Sequence, residues 1–325
     1  MSDHFQFTRA SRLRPVLYAF CFATLWQPLA ASAQTDETQG HDLFETPQGL
    51  WVLPSKPAPD RPKNKLYGAS SPAANWTISQ WDIPEDLPPI ENNATKNQYA
   101  AVSFAQPGEF TLWQNGNTLP CEKQFPSGKL LPDEFDLFIG PVTSAFKGHQ
   151  TAFMGKREAL STLTQIRMRI SVTPRTFQIA DATCPITHAI MGGSVVLTNL
   201  ISHQTFFYQL NFAIYQPSAS GVALALPHPG WFFTGTNVQA GGAHQFGYGD
   251  RIWASFGVTP PPIGGTDNVD VNLLPRLKQL IADGARFGID QNLADWSVTG
   301  AYYGQSVFGH IQFGTDWHKI SLKAD

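Results

Sequence analysis

The chain predicts an all-β fold, an antiparallel β-sandwich, and three observations predict it. Ten short runs beyond Tyr99 place apolar side chains at every second position, the repeat that turns one face of a strand toward a core. Turn formers separate these runs, with 27 glycines and 25 prolines among the 325 residues. Only one stretch has convincing helical spacing, so the alternation of strands and helices that builds a parallel sheet is missing.

Residues 1–33 have the parts of a secretory signal: Arg9, Arg12 and Arg14, then the apolar run PVLYAFCFATLW, then Ala31-Ser32-Ala33. The run is well short of the ~20 apolar residues that cross a bilayer. Export to the periplasm or the exterior is therefore expected, with no membrane insertion after cleavage. From Gln34 to Asn97, stretches such as LPSKPAPDRPKNK and IPEDLPPIENNATKN are too rich in proline to feed a ladder. A proline-rich arm over 34–97 is expected to hug the surface, pinned by Trp51, Trp76 and Trp81.

Residues 98–325 are expected to form the sandwich. In IRMRISV the core set is Ile166, Met168, Ile170 and Val172, with Arg167 and Arg169 on the other face. In TFFYQLNFAIY the run Phe206, Tyr208, Leu210, Phe212 and Ile214 points inward, and Phe207, Gln209, Asn211 and Tyr215 point outward. RIWASFGV reads as a further strand with Arg251, Trp253 and Ser255 outward. The break TPPPIGG precedes a helix over 272–286, with Leu273, Leu274, Leu277, Leu280 and Ile281 at helical spacing and Pro275 in its first turn. The tail returns as strands. A jelly-roll or concanavalin-like sandwich fits this order, with the region after residue 265 either part of it or a separate module.

Composition narrows the function. The formal net charge is −3, and loss of residues 1–33 removes three arginines against one aspartate, so the remaining chain is more acidic still. No basic block exists to meet nucleic acid or an anionic membrane surface. Of three cysteines, Cys121 and Cys184 lie beyond the signal; an oxidising compartment permits them to pair, and two lone thiols are the alternative. There is no G-x-S-x-G elbow, no HExxH and no phosphate-binding glycine loop, so neither a metal nor another cofactor is expected.

The most enzyme-like stretch is PDEFDLFIG, where Glu134 and Asp136 are two apart and share one strand face. Paired carboxylates are what glycoside hydrolysis uses. The stretch is similar to part of the E-x-D-x-x-E strand of laminarinase-type β-sandwich hydrolases, which implies a nucleophile here. The third carboxylate, the acid of that pattern, is absent. A second set, Arg167, Arg169, Gln209, Asn211 and Tyr215 with Tyr303 and His310, resembles the Arg/Gln/His/Tyr arrangement on the concave sheet of jelly-roll alginate lyases, without any intact motif of that family.

Parity also places Trp253 beside Arg251, and Phe207 and Tyr215 beside Gln209 and Asn211. Flat rings flanked by amides fit the C–H faces and hydroxyls of sugars, so non-catalytic binding of a polysaccharide or oligosaccharide is the leading expectation. A hydrolase using Glu134 and Asp136, or a lyase, is the alternative. Rings on a wet sheet face also mark protein contacts, which gives an envelope assembly protein as a third class. In DWSVTGAYYGQSVFGHIQFGTDW, Trp296 shares the parity of Val298 and Tyr302 and is expected in the core. Tyr303, His310 and Trp317 are expected on the polar face.

Overall fold

The computed structural model describes residues 40–55, 66–124, 130–143, 152, 157–181, 183–216, 230–237 and 243–325. The expected signal at 1–33 lies outside these residues. Along the chain come β1 (His41–Asp42), β2 (Leu50–Leu53), β3 (Trp76–Trp81), β4 (Ala94–Lys96), β5 (Ala100–Gln106), β6 (Glu109–Asn115), β7 (Glu122–Gln124), β8 (Leu130–Pro132) and β9 (Glu134–Pro141). They are followed by β10 (Ile166–Ile179), β11 (His188–Asn199), β12 (Thr205–Tyr215), β13 (Gly230–Asn237), β14 (Ala243–Arg251) and helix α1 (Ile252–Phe256). The chain ends with β15 (Asp267–Asn272), helix α2 (Leu274–Asp283), a 3-10 turn (Gly284–Phe287), β16 (Trp296–Phe308) and β17 (Ile311–Ala324).

All strands but β7 and β8, which pair only with each other, form two packed sheets. One runs β15-β10-β17-β6-β5-β4, with β1 also on β17, and the other runs β13-β14-β12-β11-β16-β9-β3-β2. The expected β-sandwich is present, and all pairs are antiparallel except β12 with β14 and β2 with β3. Core packing follows the predicted faces closely where strands run straight: Ile166, Met168, Ile170 and Val172 are buried, while Arg167 and Arg169 face outward and pair with Asp270. Between the sheets the Trp317 ring stacks on Phe110 at 6.0 Å and meets Phe212 at 6.1 Å and Tyr303 at 6.5 Å.

At three of the β-bulges the alternation reverses around residues expected on the polar face, because one extra residue puts the side chains on its two sides out of step with simple alternation. On β12 the extra residue is Phe212, since Met191 faces Ala213 but Gly192 faces Asn211. Tyr215, expected on the wet face, is consequently buried, and its hydroxyl donates to the Pro261 carbonyl at 2.8 Å. On β16 the extra residue is Thr299, between Val298 and Gly300. Tyr303 therefore turns into the core and Tyr302 turns out. On β17 an extra residue falls at Lys319–Ile320, with Lys319 at φ 51, and Trp317 goes inward, fully buried.

Two further expectations are corrected. The segment 34–97 is more than a surface arm: it supplies β1–β4, with β2 and β3 forming one edge of a sheet, where missing proline amides cost little. RIWASFGV is not a strand; β14 ends at Arg251 and Ile252–Phe256 turns as α1, stopped by Gly257 at φ 69. Trp253 is thus a half-buried helix residue packed against the core, with the Arg251 guanidinium 5.9 Å from its ring. The C-terminal helix is close to its expected place. Asn272 accepts the Leu274 amide at 3.1 Å, and Leu273, Leu274, Leu277, Leu280 and Ile281 are buried.

Candidate functional site

The register of the larger sheet lines up side chains across its outer face. Asp136 lies opposite both Ser306 and Trp81, and Ser306 lies opposite Ile190. One row on, Gly304 lies between Phe138 and Gly192, and Gly192 faces Asn211. In the next, Ser194 lies between Tyr302 and Gln209. These rows enclose an open groove of about 340 Å³ that spans β3 to β12 and reaches Phe232 on β13. Among the sequence-predicted residues, the groove brings together Glu134, Asp136, Gln209 and Asn211.

The aromatic wall is a contiguous trio. Trp81 is 43% exposed at the rim, 5.7 Å from Phe138 and 6.3 Å from Tyr302, which themselves are 5.1 Å apart. At the other end, the Phe232 ring lies over Gly247, where a Cβ would come within 2.5 Å of it. Gly192 keeps the floor low: a Cβ there would meet the Leu210 carbonyl oxygen at 2.5 Å. The Gln209 amide donates to the Tyr302 hydroxyl at 3.0 Å, so the polar side is held in place before any ligand arrives.

The acidic side is a carboxyl pair. Burial, then repulsion from Glu134, pushes the Asp136 carboxyl well above the usual carboxylate range, while the Ser306 hydroxyl donates to it and opposes the shift. Glu134 and Asp136 are hydrogen-bonded to each other. Carboxyls in contact are closer than the ~5 Å or more at which a hydrolytic pair flanks a glycosidic bond. His188, at the end of the same face, stacks on Phe308 at 4.2 Å, and burial lowers its pKa to about 4. It is neutral at pH 7. No Lys or Arg lines the groove among the described residues.

The raised Asp136 value fixes a sign. A carboxyl with a raised folded pKa favours the fold below its unfolded value of about 4, and that contribution is lost as pH rises through the folded value. Asp136→Asn, which keeps the neutral shape, is expected to melt higher than the parent in alkaline buffer and to show no advantage below about pH 4. Thermal melts across that range check this; a pH-independent difference would contradict it.

The other predicted residues lie elsewhere. Arg167 and Arg169 sit on the outer face of the other sheet, bound to Asp270 at 2.5 and 3.2 Å. Tyr215, Tyr303 and Trp317 are interior, Arg251 is the N-cap of α1 and Trp253 lies within it. His310 lies at the β16–β17 turn beside the bridge between Cys121 and Cys184. The Arg/Gln/Tyr/His set of the lyase resemblance is thus dispersed over both sheets. Sequence reasoning missed Phe138, which shares the parity of Glu134 and Asp136, and Tyr302 and Ser306, hidden by the Thr299 bulge.

No family model matches the chain, and no curated protein matches it. Solved structures with a similar course include the xyloglucanase domain of NopAA, a type three effector from Sinorhizobium fredii, in complex with cellobiose: 10% identity, 76% of this chain and 99% of that one, TM-score 0.38. A family 12 xyloglucanase from Bacillus licheniformis in complex with ligand has 12% identity over 76% and 99% of the two chains, TM-score 0.41. The family 11 xylanase from Neocallimastix patriciarum has 10% identity over 78% and 96%, TM-score 0.39.

Proposed function

We propose that this is an exported carbohydrate-binding protein whose groove holds a segment of an uncharged polysaccharide. The observation that carries the reading is the exposed Trp81 ring, continuous with Phe138 and Tyr302 and facing the Gln209 and Asn211 amides across the same groove. Rings supply surface for the C–H faces of sugars, and amides and hydroxyls supply hydrogen bonds that fix orientation. Carboxyls on the groove wall disfavour uronate chains by like-charge repulsion. Calorimetric titration against neutral and acidic oligosaccharides tests this: binding confined to neutral chains is expected, and binding to none of them sinks it. Trp81→Ala is expected to weaken binding about tenfold or more without lowering the melting temperature, because the ring is exposed.

A hydrolase is the second reading, favoured by one observation: Asp136 retains a proton to higher pH than an ordinary carboxyl, as a general acid does. Release of reducing ends from a neutral glucan or xylan, abolished in Asp136→Asn with binding retained, would establish it. Export is tested by the N-terminus of the secreted chain, expected at Gln34.

A further inference from the structure

The Cys121–Cys184 bridge joins the loop before β7 to the segment before β11, and its setting differs from that of an inert structural disulfide. His310 is wedged beside it. One ring nitrogen of His310 and both sulfurs lie within 4.8 Å of one another. The two imidazole nitrogens both face acceptors: Nδ1 is 2.9 Å from the Asp181 carboxylate and Nε2 is 2.9 Å from the Leu119 carbonyl. Only the imidazolium has two N–H donors, so satisfying both partners requires the charged ring. The Asp181 carboxylate is in turn held by the Thr183 hydroxyl at 2.5 Å and amide at 3.0 Å. A cation is therefore fixed next to the disulfide.

The two cysteines differ in access. Cys121 is half-buried, whereas Cys184 is buried with 6% of its surface exposed. A cation lowers the pKa of a neighbouring thiol, and a disulfide opens faster when its departing sulfur is the better thiolate. We infer that this bridge is a thiol-exchange site, with Cys121 as the attacked sulfur, Cys184 as the departing thiolate, His310 as the positioning cation, and a small thiol or dithiol as the reagent. The thiolate of a dithiol bonds to Cys121 Sγ as the S–S electron pair leaves on Cys184 Sγ. The second thiol of the reagent, after losing its proton, displaces Cys121, and the reagent ends as a disulfide. Two electrons pass to the protein. The site abuts the groove strand, since the Asp133 amide, one residue before β9, donates to the Cys121 carbonyl at 3.1 Å.

The sign of one rate tests the inference. The folded chain beginning at Gln34 is incubated with dithiothreitol at neutral pH, quenched with an alkylating agent and weighed; Cys121 and Cys184 are its two cysteines, so two added alkyl groups count one opened bridge. His310→Gln is expected to slow opening roughly three- to tenfold, because the departing thiolate loses its counter-charge. A merely structural His310 would have the opposite effect, since its removal would loosen the loop and speed opening. Equal or faster opening in His310→Gln overturns the inference, as does a parent bridge that opens only in denaturant. Asp181→Asn, which leaves the ring in place but removes its carboxylate, should also slow opening and gives a second route if His310→Gln does not fold. Glutathione, a monothiol, should be trapped on Cys121; an adduct on Cys184 instead would contradict the assignment.

Discussion

Replacing Trp317 by alanine is expected to destabilise the protein by about 3–5 kcal/mol, the range for truncating a large aromatic in a packed core. The ring is fully buried where the sheets meet, stacked on Phe110 from its own sheet and touching Phe212 and Tyr303 from the other. Its Nε1 donates to the Thr315 hydroxyl at 2.7 Å, and Thr315 donates in turn to the Gln305 side-chain carbonyl at 2.5 Å. Removing the indole leaves a cavity and takes away one bond of a buried polar chain. A drop in melting temperature on the order of 10 °C follows for a domain of this size. Trp296→Ala should cost a similar amount, since that ring is also fully buried and donates to the Asp290 carbonyl at 2.8 Å. A Trp317→Ala chain that melts with the parent would show the ring to be outside the core.

The second large effect is expected at Asp250, which is 1% exposed at the end of β14. Its carboxylate accepts from the Arg251 amide at 2.9 Å, the Ser255 hydroxyl at 2.6 Å, the Tyr208 hydroxyl at 3.1 Å and the Arg276 guanidinium at 2.9 Å. One acid thus ties together β12, α1 and α2. Burial, reinforced by the Asp250 charge, pushes the Tyr208 hydroxyl up, so it stays a donor to the carboxylate. Asp250→Ala leaves Arg276 largely buried without this partner, for which about 3–5 kcal/mol is typical. Arg276 keeps its contacts with Tyr248 and Gln279, which places the cost toward the lower end. Chemical denaturation of the single variants and of Asp250→Ala/Arg276→Met checks it. The double variant should recover part of the loss, because it no longer buries an unpaired charge.

The two cases show what the sequence held. Period two identified the core face of β10 over Ile166–Val172 and of the first half of β12 correctly, because no extra residue falls on those strands there and each residue's side follows from its neighbour's. It failed at Tyr215, Tyr303 and Trp317, each separated by one bulge from the residues that set its expected parity. A bulge adds one residue to one strand of a pair, and its signal lies in the partner's register, which a single strand does not contain. Lys319 adopts φ 51, a conformation a lysine does not advertise. The helix over α2 was legible because Asn272, Pro275 and the leucine spacing agree, whereas α1 was not, since IWASF fits either period. The carboxyl pair and the Gln209/Asn211 amides were readable from parity alone. That they share a groove depends on β9, β16, β11 and β12 being adjacent, and those four strands come from three distant parts of the chain, with only β11 and β12 consecutive.

Titration of a neutral oligosaccharide into the parent protein and into Trp81→Ala tests the central claim most directly. The groove predicts saturable heat with the parent, loss of about tenfold or more in affinity with Trp81→Ala, and unchanged melting of the free variant. Equal affinity in the two proteins would place the ligand elsewhere and contradict it.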